Sequence, residues 1–184
     1  VQEMQNAIKN PERAAMIAMI DQQAKSYASH FDQLVKLGQQ QHGLVDKRLT
    51  SSGTVALKAV TDLIQTAYDR ADSQMLVEAA RLQEHLLMAR LYMSRYLEGG
   101  KREYFDQAIS EMSKADQIES GLTTALKDKD AQGYALIVQF SQAHDQYAEY
   151  LKELNSLIEQ RQALETDSLN PLGDGIVKTA ATIR

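Results

Sequence analysis

The sequence predicts an all-α protein, built as stacked up-and-down four-helix bundles that share long helices, and three observations carry that reading. Apolar residues recur at intervals of three and four along nearly the whole chain, and no stretch alternates with a period of two. Helix breakers are few, with two prolines and nine glycines among 184 residues rich in Ala, Leu, Gln, Glu and Met. The chain also matches itself at an offset of 120 residues, through the identities set out below.

The first helix is read from Pro11, a favourable first-turn residue behind Asn10, to about Arg48, with Ala15, Met19, Tyr27, Phe31, Leu34 and Leu37 at helical spacings. The stretch LTSSG, ending at Gly53, closes it. The second runs from Thr54 to about Glu98 on a seam of Leu57, Ile64, Ala71, Met75, Leu82, Leu86, Ala89 and Met93. As one rod it would be ~65 Å long at the helical rise, and Gly99-Gly100 ends it. A third covers Arg102 to Leu126 and stops at the polar KDKDAQG. The fourth spans Ala131 to about Asp167; Pro171 and Gly173 then break or kink the chain before a last piece runs to Arg184.

Composition narrows the function classes. Lys and Arg number 20 against 25 Asp and Glu, for a net charge of −5, and the cations are scattered, so no basic stripe is laid out for nucleic acid. The absence of cysteine removes disulfides, zinc–thiolate sites and thiol catalysis. There is no G-x-S-x-G, no glycine-rich phosphate loop and no pair of carboxylates in an apolar setting, so no catalytic residue is assigned and no enzyme is expected. His30, His42, His85 and His144 never occur as HxxxH or HExxH and read as surface residues, so no metal ligands and no cofactor are assigned. The methionines, spread along the seams, read as core filler. No run of about 18 apolar residues is present.

Shifted by 120 residues without a gap, Ala15, Ile17, Gln22, Tyr27, Ala28, Leu34, Leu37, Gln40, Leu44, Leu49 and Gly53 fall on Ala135, Ile137, Gln142, Tyr147, Ala148, Leu154, Leu157, Gln160, Leu164, Leu169 and Gly173. Chance in such a composition gives roughly three identities over this span. Shared coiled-coil bias is the bland explanation, but Gly53 and Gly173 sit at expected breaks and not on a seam. A duplication makes the first helix the partner of the fourth and Val1 to Asn10 the tail of a partner to the third. The partner of the long second helix is then expected upstream of Val1, in a complete domain of six helices, two of them long. The start at Val1, without Met or cap, agrees with an excised piece.

The stretch LLMARLYMSRYLEGG, followed by a short helix, a polar turn and a long helix carrying YAEYLKEL and later SLNPLG, resembles the helical bimodular sensor domains of bacterial transmembrane receptors. The stretch NPERAAMIAMIDQQAKSYASHFDQLVKL extends the likeness over most of the chain, which departs from the family pattern in lacking the first long helix. Such domains occur mainly in chemoreceptors, the methyl-accepting chemotaxis proteins, and sometimes in sensor kinases. The resemblance implies two stacked four-helix bundles between transmembrane helices and a periplasmic domain of an inner-membrane protein. It further implies a homodimer that recognises small metabolites, with carboxylates favoured and amines allowed. On this reading residues 1–184 form one sensor domain, 1–75 mainly its membrane-distal module and 76–184 mainly the membrane-proximal one.

The candidate binding residues follow from arginines set among apolar residues. Arg90 shares a helix face with Leu86, Ala89, Met93 and Leu97, while Arg95 lies on the adjacent face with Met88, Leu91 and Tyr92. A guanidinium in a bundle seam needs a partner, and an acid such as Asp145 or Glu149 would make Arg90 structural. A ligand carboxylate would make it a forked clamp, for which arginine is better shaped than lysine; the resemblance, in which arginines inside the bundle hold organic acids, tips Arg90 that way. Tyr27 and Tyr147, at equivalent repeat positions, and Tyr92 are core aromatics whose hydroxyls could bond a ligand. The competing class is a helical scaffold that only oligomerises, which needs no buried arginine.

Overall fold

The structure, a computed structural model, describes residues 10–183, and these are helical almost throughout with no strand among them. Six α-helices follow in order: α1 (Pro11–Leu44), α2 (Thr50–Asp69), α3 (Ser73–Gly99), α4 (Arg102–Leu126), α5 (Ala131–Leu164) and α6 (Asn170–Thr182). Two π-helical turns, Val45–Leu49 and Glu165–Leu169, join α1 to α2 and α5 to α6. The Asn10 side chain caps α1 by accepting from the amides of Glu12 at 2.9 Å and Arg13 at 3.3 Å. Gly100, at φ 64°, closes α3 in the left-handed conformation that glycine adopts without steric cost.

Three boundaries differ from the sequence reading. The breaks expected at Leu49–Gly53 and at Asn170–Gly175 are not breaks, because the backbone passes through each as a π turn and stays helical. Local hydroxyls collect carbonyls at the wider turn: Thr50 Oγ1 donates to the Val45 carbonyl at 2.8 Å, and Ser52 Oγ to those of Arg48 and Leu49 at 3.0 and 3.2 Å. Pro171 is tolerated because it lies in the first turn of α6, just past the register slip. The long rod expected from Thr54 to Glu98 is instead cut at Arg70–Asp72, where Ala71 has φ 55° and Asp72 caps α3 by accepting from the Met75 amide at 2.9 Å. The apolar spacing in the sequence continues through Ala71, but Ala71 is exposed, and α2 and α3 fold back on each other as a hairpin. The uninterrupted helical runs are therefore Pro11–Asp69 and Ala131–Thr182.

The chain forms two compact units, Gly43–Asn155 and the pair of segments Val1–His42 and Ser156–Arg184. This replaces the expected division near residue 75, since the hairpin keeps α2 and α3 in one unit. The Gly43–Asn155 unit is a four-helix bundle with one core, drawn from α2 (Val60, Leu63), α3 (Leu82, Leu86), α4 (Ala115, Leu122) and α5 (Ile137, Phe140). Polar ties close one of its ends: Arg70 pairs with Asp130 and donates to the Gln132 side chain at 3.0 Å. In the other unit the described apolar residues of α1 are much less covered; Met19 is 51% and Phe31 49% exposed.

The 120-residue offset reappears in the backbone. Both α1 and α5 have 34 residues, the π turns begin at Val45 and Glu165, and each ends on a buried leucine, Leu49 and Leu169. The same pair of residue types also meets in each unit. A Cβ at Gly53 would lie 3.1 Å from Tyr147, and one at Gly173 would lie 3.8 Å from Tyr27. π turns and tyrosine–glycine contacts thus recur in register, as a duplication predicts, whereas the environments differ, Tyr147 being buried and Tyr27 38% exposed. The role read for Val1 to Asn10 rests on residues 1–9, outside the described residues.

The tight glycine gives one prediction. Gly53→Val should destabilise the bundle by about 1–3 kcal/mol, because the added atoms meet the Tyr147 ring and the Arg90 side chain. Gly43→Ala, with nothing within 4 Å of the new methyl, should stabilise it by about 0.5–1 kcal/mol through helix propensity. Urea denaturation of both variants checks the pair, and a destabilising Gly43→Ala would show that helix propensity is overridden there.

Candidate functional site

In the Gly43–Asn155 unit, three helices bring together a residue without a side chain, a cation and a buried phenol. The π turn before α2 adds one residue to the helical path and so turns the following residues by about 100° about the axis. Gly53, in the first turns of α2, is buried, and its missing side chain leaves room for the Tyr147 ring of α5. Arg90 of α3 reaches the same point, with Nε 3.5 Å from where a Gly53 Cβ would stand. Tyr147 is 3% exposed, and burial pushes its phenol up to about 12, with the Arg90 charge pulling the other way.

Neither polar group is spent on the protein. Among the described residues Arg90 makes no hydrogen bond or ion pair, and the Tyr147 hydroxyl makes no hydrogen bond. Of the two acids that could have paired with Arg90, Glu149 pairs instead with Lys152 at 2.7 Å, and Asp145 makes no ion pair with it among the described residues. Arg90 is half-buried, and its unbonded nitrogens remain open to an incoming anion.

The other candidates separate from this pair. Arg95 is exposed and lies over the Tyr104 ring, 5.8 Å from its centroid. Tyr92 is half-buried and makes no hydrogen bond among the described residues. Tyr27 belongs to the other unit and, at 38% exposed, is not the core aromatic expected. Near it on α1, Gln23 Oε1 and His30 Nδ1 are buried without a partner among the described residues.

The surface reading of the histidines holds for His42 but not for the others. His85 is half-buried, with Nδ1 2.6 Å from Glu111, and His30 is half-buried. His144 is 1% exposed and stacked on Phe140 at 5.1 Å. It lies beside Asp116 and Glu119, a set of possible metal ligands that no sequence spacing suggested because its members come from two helices. Of the methionines read as core filler, Met75, Met93 and Met112 are buried, whereas Met19 is not.

Two clefts adjoin the bundle core. One of about 380 Å³ lies between the start of α2 and α5 and carries Lys47, Arg48, Ser51, Gln139, Gln142 and Gln146 on its walls. Arg48 there is held by Glu153 at 3.5 Å and sits 5.7 Å from the Tyr150 ring centroid. The larger, about 700 Å³, lies between the start of α3 and the end of α4 over Met75, Ile118 and Leu122. Its rim charges are largely used, Arg70 on Asp130 and Asp72 on its own helix cap. Arg90 and Tyr147, both singled out from the sequence, are brought together by the structure, while Gly53 between them was legible only as a repeat position. No family model matches the chain, and no curated protein matches it.

Proposed function

We propose that the chain is a helical ligand-sensing module that takes a small organic acid between α2, α3 and α5, with Arg90 as carboxylate clamp and Tyr147 as hydroxyl donor. The observation that supports this most is the half-buried Arg90 guanidinium beside a buried, unbonded phenol, with no protein acid on either. A carboxylate supplies what the site lacks, since it accepts two parallel N–H bonds from the guanidinium and a third from the phenol. The resemblance to bimodular sensor domains extends the proposal to the periplasmic domain of a membrane-anchored homodimeric chemoreceptor. There, ligand drawn between helices shifts them by an ångström or two and biases a two-state output. Within the described residues no helix is long and apolar enough to cross a membrane, so the anchoring segments are no part of them.

Thermal-shift measurement with small mono- and dicarboxylates, and with small amines for comparison, tests the proposal. An acid at a hundred times its Kd should stabilise the protein by about 2.7 kcal/mol. Arg90→Ala should melt close to the parent protein, because no acid is left stranded, and should lose the response to the acid. A variant that is strongly destabilised yet still responds would make Arg90 a structural residue. The alternative of an oligomerising scaffold draws on Met19, Tyr27, Phe31 and Val35, all exposed along α1. Under that reading light scattering would show a concentration-dependent oligomer that Phe31→Glu dissolves, with no response to any acid.

A further inference from the structure

We propose that Asp116, Glu119 and His144 form a binding site for one divalent transition-metal ion of the Zn2+ class, which pins α4 to α5. Asp116 and Glu119 are one helical turn apart and present their carboxylates on one side of α4, while His144 comes from α5. One ligand atom from each residue lies within 4.8 Å of both others. His144 Nδ1 and Asp116 Oδ1 are 3.1 Å apart, a separation that two atoms sharing a metal at about 2.0–2.2 Å adopt.

The imidazole points independently to a ligand. His144 is fully enclosed, and neither ring nitrogen has a hydrogen-bond partner among the described residues; Nδ1 is near Asp116 but not aligned for a hydrogen bond. Leaving both nitrogens of a buried ring unbonded is unfavourable, and a metal on Nδ1 satisfies one of them. Stacking on Phe140 fixes the ring plane, as an oriented ligand requires. Asp116 and Glu119 bring two carboxylates to one place, where a cation would relieve their repulsion. One neutral imidazole with two carboxylates compensates a 2+ charge. The imidazole argues against Mg2+ and Ca2+, and the lack of sulfur against Cu(I).

The test uses the chain freed of any histidine tag and stripped with chelator. Calorimetric titration with ZnCl2 should show one saturable equivalent and a raised melting temperature, and CoCl2 should give the ligand-field absorption of a low-symmetry site. Asp116→Asn and Glu119→Gln should each weaken Zn2+ binding at least tenfold without altering the far-ultraviolet dichroism. His144→Phe should abolish it while matching the metal-free protein in melting temperature; if that variant does not fold, the two α4 variants carry the result. Absence of saturable Zn2+ uptake by the parent chain, or uptake that survives Asp116→Asn and Glu119→Gln unchanged, would overturn the proposal and leave His144 as a packed, neutral core residue.

Discussion

Ile137→Ala should destabilise the Gly43–Asn155 unit by about 2–5 kcal/mol, whereas Ile17→Ala, at the equivalent repeat position, should cost about 1 kcal/mol. Ile137 is fully buried in the core that α2, α3, α4 and α5 share, so truncation removes apolar contacts and leaves a cavity that surrounding helices cannot collapse into. Ile17 is half-buried, and water already reaches part of what the mutation exposes. The two units need not unfold together, so the measurement should be local: hydrogen exchange at the amides of Leu82 and Leu86 for the first variant, and of Ile20 and Leu34 for the second. Equal losses at the two sites would mean that α1 is covered in solution as thoroughly as α5 is here.

That asymmetry shows what a sequence pattern can and cannot report. The 3.6-residue period specifies which face of a helix is apolar, and it correctly placed α1, α4 and α5, because those segments begin or end at strong signals: Asn10-Pro11, Gly99-Gly100 and the polar run after Leu126. It says nothing about whether a partner covers the face, so Tyr27 and Tyr147 looked alike although one is 38% and the other 3% exposed. Glycines and prolines were over-read as breaks at Leu49–Gly53 and Asn170–Gly175, since a π turn absorbs one extra residue without ending the helix. The break at Arg70–Asp72 was under-read, because an Asp cap is a weak signal inside a continuous apolar seam. At the site, Arg90 and Tyr147 were legible as polar groups on apolar faces. Gly53 beside them, and His144 beside Asp116 and Glu119, depend on which helices meet, and that information is not local.

Raising the pH from 10 to 12 should remove about 2–3 kcal/mol of stability through Tyr147 alone. In the unfolded chain the phenol ionises near 10, and in the folded protein burial holds it neutral to about 12. The folded state therefore keeps the proton more tightly, and the contribution is complete below pH 10 and lost as the pH climbs through 12. Tyr147→Phe should abolish this part of the alkaline loss. At neutral pH it should leave stability nearly unchanged, because the hydroxyl has no hydrogen bond among the described residues to forfeit. Every other group is common to both proteins, so the difference between the two urea-midpoint curves from pH 9 to 12 isolates Tyr147; parallel curves would overturn the assignment. Arg90 supplies an internal control. Its positive charge stabilises the phenolate, so Arg90→Ala should push the Tyr147 ionisation higher still, and a shift in the opposite direction would separate the two side chains that the proposed carboxylate site requires to be neighbours.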